Sequence, residues 1–203
     1  TLGGSGFSVN SGNVIIPANI THDADSDTKF GFPANDTISF ETAGTERLRI
    51  DSSGRIIKGH TSTYPVAGHY PSVQLTGTTF NDATLSLINN ANDSTGSYIL
   101  LSKQRSGSPN GATVVQDDDL VGQISFTAGD GTDLTSRIAE IKGMVDGTPG
   151  SNDTPGRLSF WTTADGAQSS TERLRITSAG RVGIDRTSPN TMLDIKVPPL
   201  DTA

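Results

Sequence analysis

The chain has 203 residues, of which 32% are hydrophobic and 5% aromatic, with 23 glycines, 10 prolines, no cysteine and a formal net charge of −7. These figures exclude a disulfide framework and a thiolate metal site, and they make one large self-contained core hard to build. The 15 Lys and Arg are scattered rather than clustered, and no apolar run approaches the roughly 18 residues a bilayer span needs, so neither a nucleic-acid partner nor membrane insertion is expected.

Along the chain, "TLGGSGFSVN" carries neither a charged nor an apolar targeting segment, and a sequence opening at Thr1 reads as a fragment. No window of about a dozen residues has helical apolar spacing free of Gly and Pro. Strand patterns are frequent instead. "GNVIIPA", "DTISFET", "ERLRIDS" and "GRIIKG" occupy the first sixty residues, followed by "SVQLTG", "ATLSLIN", "SYILLSK", "GQISFTA", "SRIAEIKG", "GRLSFWT", "ERLRITS" and "GRVGID". Clusters such as "SPNG", "AGDGT", "DGTPGSNDTPG" and "TADGAQ" separate them, built of residues that tolerate positive φ or bond their own backbone. The pattern predicts an all-β fold of short antiparallel strands and hairpins with a sandwich-like β-domain.

One hexapeptide occurs twice. Thr45–Ile50 reads Thr-Glu-Arg-Leu-Arg-Ile, and Thr171–Ile176 repeats it. Strand alternation places Leu48 and Ile50 on one face against Arg47 and Arg49, and Leu174 and Ile176 against Arg173 and Arg175. The sequels "DSSGR" and "TSAGR" put Gly54 and Gly180 at a turn, so each copy predicts a hairpin with one apolar face. A lone hairpin is marginal in water. Leu48, Ile50, Leu174 and Ile176 are therefore the expected packing residues, against the same chain or neighbouring ones.

Candidate chemistry is sparse. "DADSD" at Asp23–Asp27 alternates carboxylates as a calcium loop begins, but Thr28 and Ala34 stand where such a loop needs Gly and Glu, so a solvated acidic turn is expected and no metal site. Asp117–Asp119 lie in sequence, and adjacent strand residues point to opposite faces, which does not converge two carboxylates on a glycosidic bond. Glu140 shares its strand face with Lys142, predicting a salt-bridged surface pair. His22, His60 and His69 have no partners at ligand spacing. "GHTSTYPVAGHYPS" gathers Tyr64, His69 and Tyr70, which read either as sugar-contacting groups or as a connector packed between subunits. Trp161 follows Phe160 on the opposite face and is either exposed or packed between chains. Tyr64, His69, Tyr70 and Trp161 are thus the candidate receptor contacts.

The stretch "DADSDTKFGFPANDTISFETAGTERLRIDSSGR", and the later "LVGQISFTAGDG" through "DGTPGSNDTPGRLSFWTTADGAQSSTERLRITSAGRVGIDRTSPNTMLDI", resemble bacteriophage tail-fibre shafts, especially those of marine and cyanobacterial phages. In that family the second hairpin often stands shortly before a C-terminal intramolecular chaperone of the endosialidase type. The family commonly reads Gly-Ile-Gly-Thr where this chain has Gly183-Ile184-Asp185-Arg186, and the first hairpin departs further with Ile57-Lys58-Gly59. The resemblance implies an elongated, intertwined homotrimer in the virion, made in the host cytoplasm, whose partners are itself, other tail proteins and a host surface polysaccharide. It implies no cofactor and no enzyme activity.

The expected layout is an N-terminal shaft segment at 1–60 ending in the first hairpin, a connector at 61–71, a β-domain at 72–184 ending in the second hairpin, and a C-terminal connector at 185–203. The expected function is a fibre segment that extends from the virion and presents or contributes to receptor recognition. The alternatives are a polysaccharide-depolymerising tailspike segment and another virion appendage or baseplate fibre protein.

Overall fold

The computed structural model describes residue 16 and residues 18–197, and the predicted strand in "GNVIIPA" lies largely outside them. Among the described residues the fold is all-β, with two mixed sheets of six strands and a single 3-10 turn at Phe80–Ala83. The chain divides into two compact units, the first Thr1–Tyr64 with Tyr70–Ser86, the second Pro65–His69 with Leu87–Ala203.

In the first unit, β1 (Asn19–His22), β2 (Asp25–Gly31), β3 (Ile38–Thr42), β4 (Thr45–Ile50) and β5 (Ile56–Lys58) form an antiparallel meander, and β6 (Val73–Leu75) adds to β5 in parallel. The second unit runs through β7 (Leu120–Ala128), β8 (Ser136–Val145), β9 (Gly156–Thr162), β10 (Thr171–Ile176) and β11 (Val182–Ile184), again antiparallel, and ends with β12 (Leu193–Ile195) parallel to β11. Three strands escape the apolar-alternation reading. β1 and the start of β2 are polar and hinge at Ala24 (φ 61), so the acidic run begins as the expected turn but Asp25 and Asp27 belong to a strand. β12 is three residues long.

The repeat is larger than a hairpin. Phe40 faces Leu48 and Ser39 faces Arg49 across β3 and β4, and Phe160 faces Leu174 and Ser159 faces Arg175 across β9 and β10. Arg47 Nε donates to Thr42 Oγ1 at 3.0 Å, and Arg173 Nε donates to Thr162 Oγ1 at 3.1 Å. Gly54 (φ 76) and Gly180 (φ 74) supply the left-handed turn residue, each amide donating three positions back, to Asp51 O and Thr177 O. After each hairpin the chain turns left-handed again, at Gly59 (φ 83) and Asp185 (φ 52). Aspartate tolerates that region better than most side chains, which accounts for Asp185 in this place.

Registers sort the side chains cleanly. One row of the first sheet reads Ile20, Phe30, Phe40, Leu48, Lys58, Leu75, and its neighbour reads Ile38, Ile50, Ile56, Val73. In the second sheet the rows are Ile124, Ile141, Phe160, Leu174, Ile184, Ile195 and Leu158, Ile176, Val182, Leu193. Both sheets therefore have one nearly continuous apolar face. Within a single chain that face is open: Phe40 is 42% exposed, Phe126 49% and Phe160 37%.

The opposite faces are polar yet closed. Ser159 is fully buried and Ser39 nearly so beside the long side chains of Arg175 and Arg49, and Gln74 is nearly buried with its amide bonded to the Tyr64 backbone. Arg49 holds Glu46 through two bonds of 2.7 Å, and Arg175 holds Glu172 through bonds of 2.5 and 2.8 Å. "ATLSLIN" and "SYILLSK", expected as strands, join no ladder. Among the described residues, 85–104 make no backbone–backbone hydrogen bond.

Candidate functional site

The polar face of the second sheet carries a cavity of about 590 Å³ lined by His69, Gln123, Arg137, Glu140, Lys142, Trp161 and Ser170 among others. Register builds it: Gln123 lies opposite Lys142 across β7 and β8, and Glu140 opposite Trp161 across β8 and β9. The Glu140 carboxylate accepts hydrogen bonds from Gln123 Nε2 at 2.5 Å, from Lys142 Nζ at 3.0 Å and from Ser170 Oγ, with Arg137 Nε 3.6 Å away. Lys142 Nζ also sits 3.9 Å above the Trp161 ring, and Trp161 Nε1 donates to Ser159 Oγ at 2.8 Å. Arg137 Nη2 donates to Ala67 O at 2.7 Å, and Ala67 N to Leu134 O at 3.0 Å, which fastens the Pro65–His69 loop and brings His69 to the rim.

The ion pair between Glu140 and Lys142 forms as expected, but not at the surface: Glu140 is only 4% exposed. Burial alone would raise its carboxyl. The Ser170 and Lys142 hydrogen bonds and the charges of Lys142 and Arg137 outweigh burial and hold it below the usual carboxylate range. Glu140 is therefore an anion at neutral pH, and it is the only acid lining the cavity. Two cations against one carboxylate give this pocket a positive surplus on a negatively charged chain.

Of the sequence-predicted contacts, His69 and Trp161 meet at this cavity. Tyr64 and Tyr70 belong to the first unit. Tyr64 is fixed by its backbone, with N bonded to Gln74 Oε1 at 3.3 Å and O accepting from Gln74 Nε2 at 3.2 Å, while its ring stands edge-on to His60. Tyr70 is exposed, with the Arg55 guanidinium 5.6 Å from its ring centre. Leu48, Ile50 and Leu174 are half-buried and Ile176 is exposed, all four on the open apolar faces.

The acidic runs are spoken for. Asp119 takes both Arg105 nitrogens at 2.7 and 2.6 Å, chiefly through which its carboxyl lies far below the usual range. Asp118 pairs with Arg157 at 2.5 Å, and Asp117 accepts from Gly147 N at 2.7 Å. Asp25 and Asp27 stand close enough that their mutual interaction lowers the first carboxyl and raises the second. No group of three metal-ligating side chains occurs among the described residues. Sequence reasoning missed Gln123, Arg137 and Ser170; their joint signal is the cross-strand register, which alternation alone does not set.

No protein-family model matches the chain, and no curated protein matches it in sequence. The fold is similar to that of several solved structures, among them two of a tail-fibre domain. One is the carboxy-terminal domain of the bacteriophage T5 L-shaped tail fibre, 13% identical over 94% of this chain and 90% of that one, with a TM-score of 0.60. The other is the same domain with its intramolecular chaperone domain, 11% identical over 93% of this chain and 63% of that one, with a TM-score of 0.63.

Proposed function

We propose that this chain is a structural segment of a phage tail fibre, a homotrimer that extends from the virion and presents or contributes to recognition of a host surface glycan. The carrying observation is the pair of open apolar sheet faces, with Phe40, Phe126 and Phe160 all more than a third exposed in one chain. A soluble monomer rarely leaves so long an apolar stripe in water. Three chains with these faces together supply the core that the composition of one chain withholds. The likeness in fold to a tail-fibre domain supports the setting.

The finer reading is a marine or cyanobacterial phage fibre in which this segment precedes an endosialidase-type chaperone, with other tail proteins as partners and synthesis in the host cytoplasm. It rests on the sequence resemblance, and the second similar structure, with its chaperone domain, supports the arrangement. In this reading each four-strand repeat is a module that closes one stretch of the fibre, with the layout 1–60, 61–71, 72–184 and 185–203. His69 and Trp161, together at a cavity, are the favoured glycan contacts, and Tyr64 and Tyr70 offer others. The structural reading is favoured over a depolymerase at this cavity: glycoside hydrolysis uses two carboxyl groups, one of them raised to act as an acid, whereas this cavity has one carboxylate, held low.

Light scattering of the purified chain tests the reading. A trimer is expected, and a folded monomer at micromolar concentration would overturn it.

A further inference from the structure

The segment 97–104, "SYILLSKQ", combines strand-forming composition with complete exposure. Ile99 is 69% exposed and Leu100 82%. Its backbone groups find no backbone partner among the described residues. It is nonetheless held at one end by the sheet. Leu101 lies against Gly122, in the row that continues the apolar face, where a Cβ on Gly122 would run into the leucine side chain. Just beyond that same C-terminal end, Arg105 is fixed to Asp119 by its two bonds. The preceding loop is closed by Asn89 Nδ2 donating to Thr95 O at 3.3 Å, yet the two arms leaving that loop do not pair with each other. A β-prone stretch that is anchored, apolar and unpaired has the properties of a strand whose neighbour belongs to another molecule.

We infer that residues 97–104 form a strand completed by a second copy of this chain through backbone hydrogen bonds, laying a cover over the open apolar face of the second sheet. The inference rests on the proposed trimer and adds to it which segment crosses between copies. Another copy is the occupant because every copy carries the same unpaired segment and the same open second-sheet face, so a symmetric assembly can give each segment a neighbour's strand to pair with. Main-chain bonds supply the attachment, and alternate side chains of the added strand meet the apolar face.

The test is residue-resolved hydrogen exchange on the full chain, with its mass measured in the same buffer. In the assembled protein the amides of 97–104, all of them or every second one, exchange about a hundredfold more slowly than an unpaired segment does. A trimer in which all of these amides exchange freely overturns the strand while leaving the trimer standing. A folded monomer overturns both. Because burial without pairing also slows exchange, Ile99→Pro and Leu100→Pro each remove one N–H, and Leu100→Thr keeps it. A one-sided ladder makes one proline variant lose protection along the whole segment while Leu100→Thr retains it; two proline variants indistinguishable from the parent overturn the inference.

Discussion

Four strands of one sheet correspond in position to four of the other, and the two differ most beside the repeated arginines of the polar face. Phe40, Leu48 and Ile50 in the first answer to Phe160, Leu174 and Ile176 in the second. On the polar side, Ile57 lies beside Arg49 in the first sheet, fully buried, whereas Gly183 lies beside Arg175 in the second. The space without a side chain there lets Arg175 Nη1 reach Thr187 O at 2.7 Å. Where the second sheet pairs Glu140 with Trp161, the first pairs Lys29 with Glu41, a salt bridge of 3.1 Å. The apolar face keeps its character except at Lys58, which stands where the second sheet has Ile184, while the polar face keeps the serine, arginine and glutamate of Ser39, Arg49 and Glu46 in Ser159, Arg175 and Glu172 and changes beside them. In the proposed trimer both units would turn an apolar face to neighbouring chains, and the differences beside the repeated arginines are where the units part.

The sharpest way to break this equivalence is a charge on the apolar rows. Ile50→Asp and Ile176→Asp are each expected to abolish assembly, since an unpaired carboxylate buried between chains costs about 3 kcal/mol or more. Light scattering with thermal melts reads the outcome, and a variant in one sheet that assembles normally would show the two faces to be doing different work. Next in size is the exchange of polar-face residues. Ile57→Gly empties a filled site and is expected to destabilise by about 3 kcal/mol. Gly183→Ile drives a side chain into the Arg186 carbonyl and is expected to cost about 2 kcal/mol in a denaturant melt.

The ion pairs separate the units by pH. Because the folded state holds Glu140 below the usual carboxylate range, its contribution is complete above the unfolded value and is lost as pH falls through the lower folded value. Melting temperature followed from pH 7 down to about 3 should therefore drop less steeply in Glu140→Gln, which at neutral pH is itself less stable by about 1–3 kcal/mol because Lys142 loses its counter-charge. The smallest effects belong to Arg47→Ser and Arg173→Ser. Each removes one exposed bond to a threonine, with an expected change within about 0.5 kcal/mol in either unit.

Much of this was legible in the sequence where alternation was apolar. The repeated "TERLRI" strand, with its apolar pair on one face, and the glycine turn after it follow from period two and from the φ that glycine permits, whereas the half-burial of Arg49 and Arg175 against Glu46 and Glu172 does not. The flanking β3 and β9 were legible as strands, but their equivalence was not: "TISFET" and "RLSFWT" share Ser-Phe and a threonine, too little to align before Ser39 and Ser159 are seen opposite the same arginine. The polar strands β1 and β2 have no apolar period to read. Glu140 was legible as Lys142's partner but not as buried, because its cover comes from Gln123 and Ser170 on other strands. "SYILLSK" reads as a strand by composition, and composition is silent on which chain completes it.

The open apolar faces also set the order of events in folding. In the proposed trimer the core is shared between copies and final stability cannot come from a first-order step, so the last barrier would be an encounter whose rate rises with concentration. Until that encounter the stripe through Phe126 and Phe160 is adhesive to any other unfinished chain. Dilution, which rescues an ordinary refolding protein from aggregation, here also starves the productive step, and refolding yield should pass through a maximum at intermediate concentration.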